Sequence, residues 1–460
     1  MGATSFHVAM YPWFAIGHIT PFLQISNRLA ERGHRVSFIL PSKTQHKLEH
    51  LNLHPDLIRL FAVTVPHVDG LPLGAETTAD VPAPLNDLLT KAFDRTENDI
   101  ELLLRDLKPD IVFFDFAHWM PALTRRLGIK IKSLHYCVIS PAAMAYIFTP
   151  ERKLIGDHFS ITDLMQPPPG FPNLAITLHV HEARALLPPP PLKMSADEVS
   201  FHERQLIALG QCDAFGYRTC SEMEGSYCDY LGSQFGKPVL LSGPVVPKPP
   251  TAALEERWAK WLGGFEANSV LYCAFGSESN LKIDQFQELV LGFELTGLPF
   301  FVALKPPSGA ETIEAALPEG FEKRTKGRGV VHGGWVQQQL ILGHPSVGCF
   351  VTHCGYGSRL EGLVSKCQLV LVPNVGDQFI HARIMSTDLK VGVEVEKGEE
   401  DGLFTKESVC MAVKSVMDKN SEVGREVRAN HAKWKDFLLS KGLESSYFDG
   451  FIHKLQALLG

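Results

Sequence analysis

Between residues 335 and 378 the chain collects groups suited to a phosphorylated, sugar-bearing ligand. They are an indole (Trp335), an imidazole (His353), a hydroxyl (Ser358), two carboxylates (Glu361 and Asp377) and an amide (Gln378). A second set lies far upstream, where His18 stands in GHITP and Asp115 in FFDFAHW. An imidazole oriented by a carboxylate is a general-base arrangement, because the carboxylate fixes the tautomer and stabilises the imidazolium formed on proton abstraction. Each residue taken singly has a plainer reading. His18 alone would be a helix-start residue, Asp115 a cap at a strand end, and the glycines of GYGS an ordinary corner between strand and helix.

The elements that must position these groups are legible around them. VGCFVTH reads as a short buried strand, CGYGSRLEGL as a glycine turn opening a helix, and LVLVP as a second apolar strand ending at Pro373. A strand that runs into such a turn aims free backbone N–H groups, and the positive end of a helix dipole, at one point. That point suits a phosphate. Upstream, FHVAMYP (6–12), the helical spacing of Ile19, Phe22, Leu23, Ile25 and Leu29 up to Gly33, and RVSFILP (35–41) form a βαβ unit, which implies a parallel sheet. Further strands are predicted at 58–66, 110–115 and 131–136, with helices over 86–107 and 118–127. His18 and Asp115 then both fall on the carboxyl edge of one doubly wound sheet, where ligands bind, and two residues distant in sequence can meet.

That edge also carries aromatic and imidazole side chains. Trp13, Phe14, Phe116, Trp119 and Tyr136, with His118 and His135 beside strand ends, read either as core or as the grip on an acceptor with planar rings. From 137 to 205 the periodicity blurs, and the proline-rich PPPGFP (167–172) and LPPPPL (187–192) read as loops over an acceptor site in preference to a docking motif for another protein. Helical character returns at 198–211, and strands are predicted at 212–220 and 237–247. The prolines of GPVVPKPPTAALEE mark an interdomain linker. The pattern then restarts, with a strand at 269–279, a helix at 282–297 and a strand at 299–306. After the 335–378 stretch come a strand at 389–395 and helices near 405–417, 421–440 and 444–459.

A chain of 460 residues is too long for one core, so two domains are expected. The formal net charge of −7 offers no basic excess with which to displace counterions from a nucleic acid, so that partner is excluded. No run of about 18 apolar residues is present to span a bilayer. The first residues lack a basic segment followed by an apolar one, so no secretory leader is expected, and Phe6 breaks the myristoylation pattern. Nine cysteines, odd in number and never spaced C-x-x-C, predict reduced thiols in a cytoplasmic protein.

The 335–378 stretch resembles the C-terminal signature box of plant family-1 UDP-glycosyltransferases in its opening Trp335, its HP and THCG segments and its closing Asp377–Gln378. GHITP, FFDFAHW and the turn GSES (276–279) extend the resemblance over nearly the whole chain. It implies an α/β GT-B fold of two Rossmann-like domains facing across a cleft. The implied boundaries are 1–243 for the acceptor-binding domain, 244–255 for the linker and 256–440 for the UDP-sugar domain. The helix at 441–460 is expected to pack back on the first domain. By the same resemblance Trp335 stacks on uracil, Val336 pairs with it through its backbone, and Glu361 takes the ribose hydroxyls. His353, Ser358 and Ser277 hold the diphosphate, and Asp377 and Gln378 hold the sugar. Gln338, Gly355, Tyr356 and Gly357 complete the implied site. Three residues depart from the usual pattern: Gln337 replaces Pro, Tyr356 replaces Trp and Gly357 replaces Asn.

The implied activity is inverting transfer of a sugar, by family habit glucose, from UDP to a sugar hydroxyl of a flavonoid or anthocyanin glycoside. His18 would be the base and Asp115 its partner. Transfer to an aglycone or terpenoid glycoside, or from UDP-xylose or UDP-rhamnose, stays open, as do a UDP-sugar sensor and a GT-B-like epimerase or phosphorylase. The chain contains no D-x-D run to hold a metal on the diphosphate, so metal independence is expected, with no cofactor beyond the co-substrate. A monomer with a small-molecule acceptor is the expected working unit.

Overall fold

The computed structural model describes residues 5–152, 160–187, 199–247, 250, 252–276 and 281–460. Two compact units divide the chain. The first comprises Met1–Asp157, Leu192–Gly243 and Tyr447–Gly460, and the second His158–Pro191 and Pro244–Ser446. The described residues 160–187, which lie inside the 1–243 span, therefore group with the second unit.

The first unit holds a seven-stranded parallel sheet in the order β3-β2-β1-β4-β5-β6-β7. Its strands are β1 (His7–Tyr11), β2 (Arg35–Pro41), β3 (Ile58–Val63), β4 (Ile111–Phe114), β5 (Lys132–Cys137), β6 (Ala214–Tyr217) and β7 (Val239–Leu241). Strands buried on both faces need apolar residues throughout, and β1 and β4 are buried at every position. The helix Ile16–Glu31 lays Ile19, Phe22, Leu23 and Leu29 into the core. The tail helix Leu443–Leu459 adds Phe448, Phe451 and Leu455 to the same cluster. Each such side chain contributes roughly 1.5–3 kcal/mol by leaving water. The Arg28 guanidinium lies 4.0 Å above the Phe448 ring. The helix predicted over 86–107 is two, Asn86–Asp94 and Glu97–Leu107. The break falls at buried Thr96, whose hydroxyl donates to the Phe93 carbonyl at 2.6 Å and meets the Tyr11 hydroxyl at 2.5 Å.

The second unit repeats the plan with six parallel strands in the order β10-β9-β8-β11-β12-β13. These are β8 (Val270–Ala274), β9 (Phe300–Ala303), β10 (Gly329–His332), β11 (Val347–Thr352), β12 (Gln368–Leu371) and β13 (Gly392–Glu394). The helix Ile283–Thr296 ends at Gly297, whose φ of 75° is open to glycine without steric cost. Among the described residues, no helix is long and apolar enough to cross a membrane.

Candidate active site

In the first unit β1 pairs in parallel with β4, placing Tyr11 opposite Phe114. The residues that follow each strand therefore emerge side by side at the carboxyl edge. His18 lies in the first turn of the helix after β1, and Asp115 follows β4 directly. His18 Nδ1 and Asp115 Oδ2 are 2.6 Å apart. The other carboxylate oxygen accepts two backbone N–H groups, from Trp13 and Phe116, each at 2.7 Å. A carboxylate so engaged only accepts, so His18 Nδ1 carries the proton and donates it, leaving Nε2 with its lone pair. Asp115 is 3% exposed, whereas the His18 side chain keeps 23% of its surface open.

Phe116 stacks on Trp13 at 4.9 Å and meets the His18 ring edge-on at 5.8 Å. Exposed Phe201 closes on Phe116 at 5.6 Å. His118 is partly open, and Arg204 donates to its Nδ1 at 2.7 Å. Burial, reinforced by that guanidinium, pushes the His118 pKa down to about 4. Trp13 and Trp119 are largely covered. Phe14, in the loop after β1, and His135 and Tyr136, on β5, are buried. Tyr136 packs on Phe113 and Phe22 and turns its hydroxyl to Ser242 at 3.1 Å.

In the second unit β11 pairs with β8, placing Thr352 opposite Ala274, and with β12, placing it opposite Leu371. His353 and Gly276 thus leave neighbouring strand ends together. Gly276 has a φ of 69°, and a Cβ there would lie 3.1 Å from the His353 ring. Cys354 holds a φ of 66°, a left-handed conformation costly for a side chain of its type and found where a turn is shaped for function. The helix Tyr356–Val364 then begins with Gly355 as its cap. Burial pushes the His353 pKa down to about 4, although the Asp377 carboxylate pulls the other way. At Gly357 a Cβ would meet nothing within 4 Å. Ser277 and the two residues that complete GSES after it, with most of LPPPPL, lie outside the described residues.

A cavity of about 720 Å³ opens at these strand ends. Its lining includes Gly276, Tyr272, Lys305, Trp335, Val336, Gln338 and Glu361. Trp335 is 80% exposed, a large apolar ring with one face open to a ligand. Glu361 is held by the Gln338 amide and, at 3.2 Å, by the Gln339 amide, while the Tyr272 hydroxyl donates to Gln338 Oε1 at 3.2 Å. Gln378 Oε1 accepts from the backbone N–H groups of Asn374 at 3.0 Å and Val375 at 3.2 Å, shaping the loop that carries Asp377. Among the described residues, no group of three or more His, Cys, Asp or Glu is placed to hold a metal ion.

Sequence reasoning missed several of these groups. Lys305 follows β9 on the carboxyl edge, so its place in the strand order was the signal available. Phe201 and Arg204 had no local signal, since they reach the site through pairings of distant segments.

Two doubly wound parallel sheets, one with a glycine turn and helix N-terminus beside a deep cavity, define a nucleotide-binding α/β protein of the GT-B class. Residues 318–426 match the family described as UDP-glucoronosyl and UDP-glucosyl transferase. The chain is 63% identical over 460 residues, 100% of both chains, to a cyanidin 3-O-galactoside 2''-O-xylosyltransferase of Actinidia chinensis var. chinensis. It is 56% identical over 458 residues, 100% of this chain and 99% of the relative, to an anthocyanidin 3-O-glucoside 2''-O-glucosyltransferase of Ipomoea nil. The crystal structure of Glycyrrhiza uralensis UGT73P12 shares the fold with a TM-score of 0.77 at 22% identity, covering 99% of this chain and 96% of that one. The chain belongs to the plant family-1 UDP-glycosyltransferases, enzymes that use a UDP-sugar donor and a small-molecule acceptor.

Proposed function

We propose that this enzyme moves a sugar from UDP to a sugar hydroxyl of a flavonoid 3-O-glycoside, with inversion at the anomeric carbon. The observation that carries the chemistry is the 2.6 Å pair of His18 and Asp115, with the carboxylate pinned by two backbone N–H groups. His18 Nε2 takes the proton of the acceptor hydroxyl as that oxygen bonds to the anomeric carbon. The bond from that carbon to the diphosphate breaks, and UDP leaves with the electron pair. Asp115 stabilises the imidazolium, while His353, Ser358, Ser277 and the N-terminus of the helix Tyr356–Val364 offset the charge on the departing diphosphate. Trp335 and Val336 take the base, Glu361 with Gln338 the ribose, and Asp377 and Gln378 the sugar. No metal enters this scheme, since N–H and hydroxyl donors of the chain and the positive end of the helix take the role a D-x-D-bound ion would have.

Phe116, backed by Trp13 and flanked by Phe201, offers the ring surface for a planar acceptor, with His118 as a polar contact. The acceptor class rests on the relatives named for transfer to the 2''-oxygen of anthocyanin glycosides. UDP-glucose is the proposed donor, on the closing Gln378. UDP-xylose is the second reading, favoured by the relative named a xylosyltransferase. We place the enzyme in the cytoplasm as a monomer, and the burial of all nine cysteines suits a reducing compartment.

The test is His18→Ala. Turnover should fall by about 10²–10⁴-fold while UDP affinity is kept. Near-normal turnover would remove His18 from the role of base, and UDP binding without turnover in the wild type would leave a sensor. Product masses from UDP-glucose, UDP-xylose and UDP-rhamnose against flavonoid aglycones and glucosides decide donor and acceptor.

A further inference from the structure

We infer that the side chain of Gln337 fastens the 252–255 segment in place as a wall of the nucleotide cavity, making Gln337 a positioning residue for the uridine end of the donor. The inference rests on the UDP reading above. Gln337 Oε1 accepts the backbone N–H of Glu255 at 2.7 Å, and its Nε2 donates to the Ala253 carbonyl at 2.9 Å. Both ends of one amide are thus spent on a single stretch of backbone three residues long. Pro250 and Ala252, just before that stretch, line the cavity together with Trp335 and Gln337 itself.

The bonds meet a local need. Glu255 caps the helix Glu256–Leu262 and makes no side-chain cap bond of its own. An amide from a distant loop supplies an acceptor at that helix start, where backbone N–H groups lack partners within the helix. The tie therefore sets where the helix begins and where the residues before it run. Proline, the usual residue at this place in the signature box, has neither an acceptor nor a donor in its side chain and could make neither bond. The next two glutamines turn the other way, onto Glu361. Three successive amides so divide between a wall of the cavity and a carboxylate on its lining.

The two bonds are partly open to water, and each contributes modestly. Their effect on a ligand is entropic, because a preformed wall need not be ordered when the ligand arrives. Gln337→Ala should weaken UDP binding roughly five- to twentyfold, by calorimetry or by quenching of Trp335 fluorescence. KM for the UDP-sugar should rise in parallel and kcat stay within about twofold, a split that a general loss of fold would not give. Uridine monophosphate should lose the same factor as UDP, since the tie acts on the nucleoside end. Glu255→Pro tests the tie from its other end: it removes the N–H donor, and the φ of −49° at Glu255 is close to what proline requires. Its loss should not exceed that of Gln337→Ala, because the bond to the Ala253 carbonyl remains, and the double variant should lose no more than Gln337→Ala alone. If both single variants bind UDP within about twofold of the wild type, the inference is overturned while the UDP reading stands. A wild type that fails to bind UDP would overturn both.

Discussion

Arg204 and Asp94 meet as a two-pronged pair, Nη1 to Oδ1 at 2.8 Å and Nη2 to Oδ2 at 2.5 Å, at a separation of 110 residues. The same Nη1 reaches His118 Nδ1 at 2.7 Å and the Phe116 carbonyl at 3.2 Å, so the pair braces the segment that follows Asp115. A guanidinium only donates, so His118 Nδ1 must accept, and the ring proton sits on Nε2. The network holds both a backbone position and a tautomer beside the dyad.

The partners of this pair are unequally buried, with 3% of the Arg204 side chain exposed against 31% for Asp94. Removing the carboxylate strands a buried cation, whereas removing the guanidinium leaves an anion that water can reach and that keeps the Trp119 indole N–H at 3.1 Å. Asp94→Asn should therefore cost about 3 kcal/mol in urea unfolding, and Arg204→Met about 1–2 kcal/mol. Equal costs would mean that burial does not set the balance.

For the dyad the informative variant is Asp115→Asn. The amide oxygen can still accept from the Trp13 and Phe116 N–H groups. The amide NH2 then points at His18 Nδ1, which must become the acceptor. The ring proton moves to Nε2, and the base is lost without loss of shape. The expected result is a fall in kcat of about 10²–10⁴-fold with UDP affinity and unfolding midpoint near those of the wild type. A kcat within about tenfold of the wild type would show that the tautomer is not what Asp115 supplies.

These relationships differ in how far the sequence reveals them. The doubly wound plan is legible because strands buried on both faces leave continuous apolar runs such as VAMY in β1 and VGCFV in β11. The meeting of His18 with Asp115 is legible because parallel pairing brings the ends of adjacent strands to one edge. Tyr136 was ambiguous for a related reason: an aromatic near a strand end faces core or solvent according to the pleat, which composition does not reveal. The stretch 137–205 resists reading because its helices are short and held from afar. Within the second unit, Glu182 on the helix Val180–Leu186 is bound by Arg383 at 2.9 Å across 201 residues, and Arg383 also pairs with Glu394. Local periodicity carries no trace of such ties. Arg204 and Gln337 belong to the same class, since each acts through a backbone or carboxylate far along the chain.

Buried imidazoles make a prediction about acid. His135 is 1% exposed beside Phe114, and burial pushes its pKa down from 6.5 to about 4, the nearby Asp115 opposing only in part. Between those two values the unfolded chain binds a proton that the native ring refuses. Its contribution to stability is thus fully present above about pH 6.5 and is lost progressively as pH falls towards about 4. His118 and His353, both also near 4, act in the same window and the same direction. For His135 alone the loss between about pH 7 and about pH 5 is on the order of 2 kcal/mol. His135→Phe removes that proton site while keeping a ring in the space. Any packing cost of the larger ring shifts stability equally at both pH values, so the difference between them isolates the titration. Urea unfolding at the two pH values should show the acid-induced loss reduced by about 2 kcal/mol in the variant. An unchanged difference would mean that the native imidazole protonates as readily as the unfolded one, and that burial does not hold it neutral.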